Sequence, residues 1–152
     1  MKLLDIIDHD LINADIASKS KMEVLKELAE VISTKEEINL NELVSVLEER
    51  EKLGSTGIGD GIAIPHGKIK GLNKLVASFG RSKKGVDFES IDGKPTHIFF
   101  LLIAPENTAG IHLKALARIS RLLKDKKFRE ELLSAKTSED IYNIIKEEDD
   151  KF

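Results

Sequence analysis

An α/β fold, a three-layer α/β/α sandwich with a mixed central sheet, is predicted by three features of the sequence. Amphipathic helical stretches stand at both ends of the chain, so helices are available for both faces of a sheet. The segment Ile98 to Ile103 is apolar without alternation, the pattern of a central strand covered on both sides. The remaining strand candidates cluster in the middle with no helix between them, which argues against a purely parallel sheet. With 152 residues and no Pro- or Ser-rich linker, the chain is read as one domain, 1–152, burying roughly two thirds of its unfolded surface.

Taken in order, Leu11 to Ala17 reads as a first strand. Ser20 followed by Glu23 has capping-box spacing, and Leu25, Leu28, Ala29 and Ile32 form an apolar stripe, predicting a helix from Lys21 to about Ser33. Asn39 with Glu42 repeats the cap, and Leu40, Leu43, Val44 and Leu47 repeat the stripe, predicting a second helix to about Glu51. Ile62 to Ile64 is a short strand that Pro65 should end just before His66. Leu75 to Ser82 and Ile98 to Ile103 are strands, with a turn-rich connection over Val86 to Gly93. Helices are expected over Thr108–Lys124, over Lys126–Ser134 behind an Asp125 cap, and over Ser138–Glu147. The charged tail, 146–152, is expected to fray.

Composition removes several functions. The 24 basic and 27 acidic residues nearly balance, and aromatics are few, so neither polyanion affinity nor a nucleic-acid stacking surface is indicated. The longest apolar run has seven residues, Ile98 to Ala104, against the roughly 20 needed to span a bilayer. Asp5, Asp8 and Asp10 make the N-terminus a poor secretory signal, so a cytoplasmic protein without membrane insertion is expected. Zero cysteines exclude disulfides, thiolate metal sites and thiol catalysis within this chain.

Six of the ten glycines fall between Gly54 and Gly71. The run from Gly54 to Gly61 lacks the Lys-Ser/Thr pair of a Walker loop, and Ile62 stands where a dinucleotide fingerprint needs its third glycine. His66 then stands out, placed where a strand runs out, with Gly67 as a bare neighbour. From the residues alone, a structural histidine and a site histidine are both open. His112, in the first turn of its helix and in line with Ala115, Leu116 and Ile119, points inward near an anion-favouring helix N-terminus; a packed structural histidine is the other reading. Arg50 projects into an apolar helical arc and so needs a carboxylate or an external anion, while Glu51 on the same arc hints at an earlier helix end. Asp60 could orient an imidazole or serve as a turn residue. His9 and His97 read as structural, and Lys68 and Lys70 add charge near His66 or are simply solvated.

Together, Arg50-Glu-Lys-Leu-Gly-Ser-Thr-Gly-Ile-Gly-Asp-Gly-Ile-Ala-Ile-Pro-His-Gly-Lys68 resembles the signature of enzyme IIA domains of the phosphoenolpyruvate:sugar phosphotransferase system, fructose/mannitol type, which includes the nitrogen-regulatory branch. Phe88-Glu-Ser-Ile-Asp-Gly-Lys-Pro95, the apolar strand ending in Ala104-Pro105, and the His112 helix with Arg121-Leu-Leu-Lys-Asp125 extend the likeness over nearly the whole chain. The resemblance implies that His66 accepts a phosphoryl group from the phosphocarrier HPr, or its nitrogen-branch relative, and passes it to a cysteine of an enzyme IIB. It further implies that His112 is a second active-site histidine and Arg50 the active-site arginine. Asp60 and Gly67 are supporting positions, the former one where relatives vary between acid and amide. It also implies the α/β/α sandwich already read from the pattern. Phosphorylation serves either sugar transport or the regulation of target proteins, the latter slightly favoured by Phe88-Glu-Ser-Ile-Asp and Arg121-Leu-Leu-Lys-Asp. A binding module that keeps the fold without phosphorylation is the remote alternative. Neutral imidazole is nucleophilic near pH 7, so the chemistry invokes no metal or cofactor.

Overall fold

The computed structural model describes residues 1–151, the side chain of Ala109 excepted. Two short 3-10 turns, Leu3–Asp5 and His9–Leu11, lead into β1 (Ile12–Asn13). α1 (Lys21–Glu36) and α2 (Leu40–Lys52) follow, then three short strands, β2 (Gly57–Gly59), β3 (Ile62–Ala63) and β4 (His66–Ile69). The long strands β5 (Val76–Val86) and β6 (Thr96–Pro105) complete the sheet, and α3 (Ala109–Leu123), α4 (Lys126–Ser134) and α5 (Ser138–Asp150) close the described chain.

The sheet is mixed. β6 is its spine, antiparallel to β5 on one side and parallel to β3 and β4 on the other. β1 joins β5 in parallel, and β2 pairs antiparallel with β3. Alternation along β5 separates two faces. Ser78 donates to the Leu28 carbonyl of α1 at 3.4 Å, and a Cβ on Gly80 would fall 2.8 Å from Leu28 Cδ2, so α1 lies almost on the sheet there. Phe79 and Arg81 point the other way. Arg81 is 0% exposed, and its guanidinium donates to the carbonyls of Ala14 and Leu132 at 3.0 Å and to that of Ala135. One cation thereby satisfies orphan carbonyls at the end of α4 and binds β1 to that face.

Helix starts follow local chemistry as expected. Ser20 accepts from the Glu23 amide and Asn39 from the Glu42 amide, while Asp125 and Thr137 cap α4 and α5. The differences lie where distant partners decide. The first strand shrinks to two residues, because the segment after Asn13 is instead gathered by Glu27, whose carboxylate accepts from Asn13 Nδ2 and from the Ala17 and Ser18 amides. β5 runs on to Val86 through an irregularity in its pairing with β6. The charged tail expected to fray is helical through Asp150: Glu148 and Asp149 are buried, and Asp149 accepts from Arg118 Nη2 at 2.7 Å and from the Leu4 amide at 3.3 Å.

The short strand β3 ends at Ala63, ahead of Pro65 and close to the predicted end, but a new strand begins at His66 in the same register. Ile62 pairs with Ile98 and His66 with Leu102, the same offset, so the register with β6 is kept across the break at 64–65. Proline removes a donor, but its carbonyl still accepts from the Leu102 amide at 2.9 Å. His66 is thus the first residue of β4, held in register by the central strand.

Candidate active site

Register fixes the direction of His66. Along β4, Gly67 faces α2, where a Cβ would lie 2.7 Å from Val46 Cγ1; His66 and Lys68 point away from that face. Glycine at 67 therefore allows close approach of α2, whose last turn carries Arg50 to the imidazole. Arg50 Nε donates to His66 Nε2 at 3.3 Å, and Arg50 Nη1 donates to the Gly54 carbonyl at 2.9 Å. From α3, the ring of His112 comes to 5.4 Å from that of His66, centroid to centroid, tilted by 55°. The three residues singled out by sequence meet at one place. They line a cavity of about 510 Å³ together with Val46, Glu49, Leu53, Gly67 and Lys68.

The tautomer follows from hydrogen bonding. His66 Nδ1 lies 2.8 Å from the Ile64 carbonyl. A carbonyl can only accept, so Nδ1 carries the hydrogen and Nε2 turns its lone pair to the cavity. Burial lowers the His66 pKa, and the charge of Arg50 pushes the same way; the Ile64 hydrogen bond and the charge of Glu51 oppose them without prevailing. Burial also lowers the pKa of His112, helped by His66 and Lys68. Both rings are therefore neutral near pH 7. His112 is only 6% exposed, and its Nδ1 has no hydrogen-bond partner among the described residues.

Asp60 does not join them. It is exposed in the turn between β2 and β3 with φ 56°, its amide donates to Asp92 Oδ2 at 3.1 Å, and it does not line the cavity. The group that orients the imidazole is the Ile64 carbonyl, to which side-chain patterns give no clue. His9 stacks on Tyr142 at 3.6 Å and His97 holds the Ser82 carbonyl at 2.8 Å, both outside the cavity.

Sequence reasoning underused Glu51 and Thr56. Glu51 does not end α2; it is buried in the last turn, accepting from the Thr56 amide at 3.0 Å and from the Thr56 hydroxyl at 2.5 Å. Lys21 Nζ pairs with it at 3.0 Å. Its place on the apolar arc was the available signal.

Among the described residues, no helix is long and apolar enough to cross a membrane. Residues 5–148 match the family model of the phosphoenolpyruvate-dependent sugar phosphotransferase system, EIIA 2. A nitrogen regulatory protein of Bradyrhizobium diazoefficiens is 40% identical over 145 residues, covering 95% of each chain. The fructose-specific EIIABC component of Bacillus subtilis is 39% identical over 98% of this chain, which spans only 24% of that protein. Among solved structures, the nitrogen regulatory protein IIA-Ntr of Neisseria meningitidis superposes with TM-score 0.89 at 32% identity, covering 94% of this chain and 98% of that one. The mannitol enzyme IIA of Escherichia coli, solved with its phosphorylated IIB, shares the fold at TM-score 0.78 and 18% identity, covering 93% of this chain and 99% of that one. With nearly its whole length matched by the family model, the chain belongs to the EIIA type 2 family of the phosphoenolpyruvate-dependent sugar phosphotransferase system.

Proposed function

We propose that the chain is a phosphohistidine carrier: His66 takes a phosphoryl group from HPr or its nitrogen-branch relative and releases it to a second protein. The observation that carries this reading is an unprotonated Nε2, pinned by Nδ1–H on the Ile64 carbonyl, facing a cavity beside a guanidinium and a second imidazole. Transfer needs little covalent help from the protein. The Nε2 lone pair forms the new P–N bond as the bond between phosphorus and its donor atom breaks, and that electron pair leaves with the donor. No proton has to be removed from Nε2. The imidazole becomes positively charged on phosphorylation, and the Ile64 carbonyl holding Nδ1–H stabilises that form. Arg50, now donating to the lone pair, is within reach of the phosphoryl oxygens, with Lys68 adding positive charge to the cavity and the neutral His112 offering a ring N–H.

The onward acceptor distinguishes two outputs. With no cysteine among these 152 residues, a thiol acceptor must lie outside them, as in an enzyme IIB. Similarity to nitrogen regulatory proteins in both sequence and structure favours regulation of target proteins according to phosphorylation state. The fructose-specific relative, 39% identical, keeps sugar transport as the second reading.

Incubation with phosphoenolpyruvate, enzyme I and HPr tests the carrier role. We expect one acid-labile, base-stable phosphoryl adduct, absent in His66→Ala; an unlabelled wild type or a fully labelled mutant contradicts the reading. Chasing the labelled protein with purified IIB proteins then separates transport from regulation, since only the former empties the label onto a IIB cysteine.

A further inference from the structure

A carboxylate in the last turn of a helix opposes the helix dipole, and a buried one also loses its hydration. Glu51 carries both penalties. It is met by partners drawn from two separate parts of the chain: Lys21 at the start of α1, and the Thr56 amide and hydroxyl in the glycine-rich segment. Lys21 is in turn fixed by the Phe88 ring, 4.9 Å below its ammonium. The chain between Glu51 and Thr56 is only a short loop, so tethering both ends determines where its carbonyls lie. One of these, the Gly54 carbonyl, is the acceptor for Arg50 Nη1. A continuous series of contacts therefore runs from Lys21 through Glu51 and Thr56 to the Gly54 carbonyl, then through Arg50 to His66 Nε2.

We propose that Glu51 is a positioning residue for the transfer: by clamping Thr56 it sets the loop whose Gly54 carbonyl aims Arg50 at His66. The geometry argues for this over plain packing. Leu53, in the middle of the loop, is 85% exposed, so no hydrophobic anchor holds the segment there; polar contacts do, the Ser55 hydroxyl on the Phe88 carbonyl at 2.8 Å and the carboxylate clamp on Thr56, and of these two the clamp ties the loop back to the turn that carries Arg50. The glycine at 54 has φ 143° and open space around its Cβ position, so its carbonyl can shift at little steric cost once the clamp is cut. Glu51 also bears on the charge balance at His66, where it opposes the effect of Arg50.

Two readouts, one independent of phosphorylation, test the proposal. Glu51→Gln removes the charge and its pairing with Lys21, and Thr56→Val removes only the hydroxyl. The first readout is the Arg50 Nε–H resonance and its exchange with water, followed by NMR in the unphosphorylated protein. Both variants should shift it and speed its exchange, with Thr56→Ser reversing the effect of Thr56→Val. The second is the rate of phosphorylation by HPr, which rests on the carrier reading above. Glu51→Gln should slow it roughly tenfold, the size typical of losing an outer-shell partner. In an Arg50→Ala background the same change should have no further effect, the mark of action through that arginine. A clamp that is only structural would lower thermal stability while leaving the Arg50 resonance and the rate at lower temperature unchanged, and that result overturns the proposal. Should the wild type take no phosphoryl group, the carrier reading fails and the NMR readout alone decides; should Glu51→Gln not fold, Thr56→Val against Thr56→Ser decides.

Discussion

The 3.3 Å contact between Arg50 Nε and His66 Nε2 makes the imidazole both available and restrained. A cation beside a lone pair disfavours a proton there, and burial acts in the same direction, so the folded ring stays neutral further into acid than a free histidine. The rate of phosphorylation should be flat around pH 7 and fall only as pH drops below the ordinary histidine value of about 6.5, because the protonated ring has no lone pair to attack with. In Arg50→Ala that acid limb should move to higher pH, since a charge that disfavours protonation is gone, while the plateau rate drops on the order of a hundredfold. Initial rates across pH 5–8 check both; an unmoved limb contradicts the assigned geometry. At this scale the sequence was informative about His66, His112 and Arg50, whose residue types have few cheap uses on apolar faces. Of the two roles left open for Asp60 the structure shows the turn residue, and the group that orients the imidazole is a main-chain carbonyl that every residue possesses.

What aligns those side chains is the near-continuous strand from β3 to β4 and its contact with α2. Gly67 is where that contact is tightest: a methyl group would lie 2.7 Å from Val46 Cγ1, on a β-branched side chain with little rotamer freedom. Gly67→Ala should lower stability by about 1–3 kcal/mol, the usual penalty for overpacking, and should slow phosphorylation by pushing the Arg50 turn away from His66. Val46→Ala in the same chain should recover much of both losses, measured by denaturant unfolding and labelling; a Gly67→Ala protein with unchanged stability and rate contradicts the packing account. Element starts were legible because capping is local: Ser20–Glu23 and Asn39–Glu42 carry their whole message within four residues. The resumption of a strand at His66, just after Pro65, was not, since only the neighbouring β6 shows that the register with Ile98 and Leu102 is kept.

Across the molecule, the two ends of the chain are joined by a buried charge. Asp149 is 1% exposed and accepts from Arg118 and the Leu4 amide, while its own carbonyl accepts from Lys2 Nζ at 2.8 Å. Asp149→Ala leaves Arg118 without that carboxylate; a loss of about 3 kcal/mol follows for breaking a buried pair, or roughly 10 °C in Tm for a chain of this size. Calorimetry checks it, and phosphorylation below the transition should be preserved, because the pair lies away from the cavity. The tail was misread for the reason this pair exists: a run of acids is solvated by default, and its partners stand some 30 and 145 residues away. Arg81 too is held by distant groups, its carbonyl partners lying 51 and 67 positions away. The α/β/α layering itself was legible, because the covered strand at Ile98 to Ile103 and the flanking amphipathic stripes are properties of composition and period. The most direct test of the whole account is NMR of the ¹⁵N-histidine-labelled protein after phosphorylation by HPr. A phosphorus coupling on Nε2 of residue 66, with its Nδ1–H still hydrogen-bonded, is the expected result; phosphorus on Nδ1 of that ring, or on His112, would contradict it.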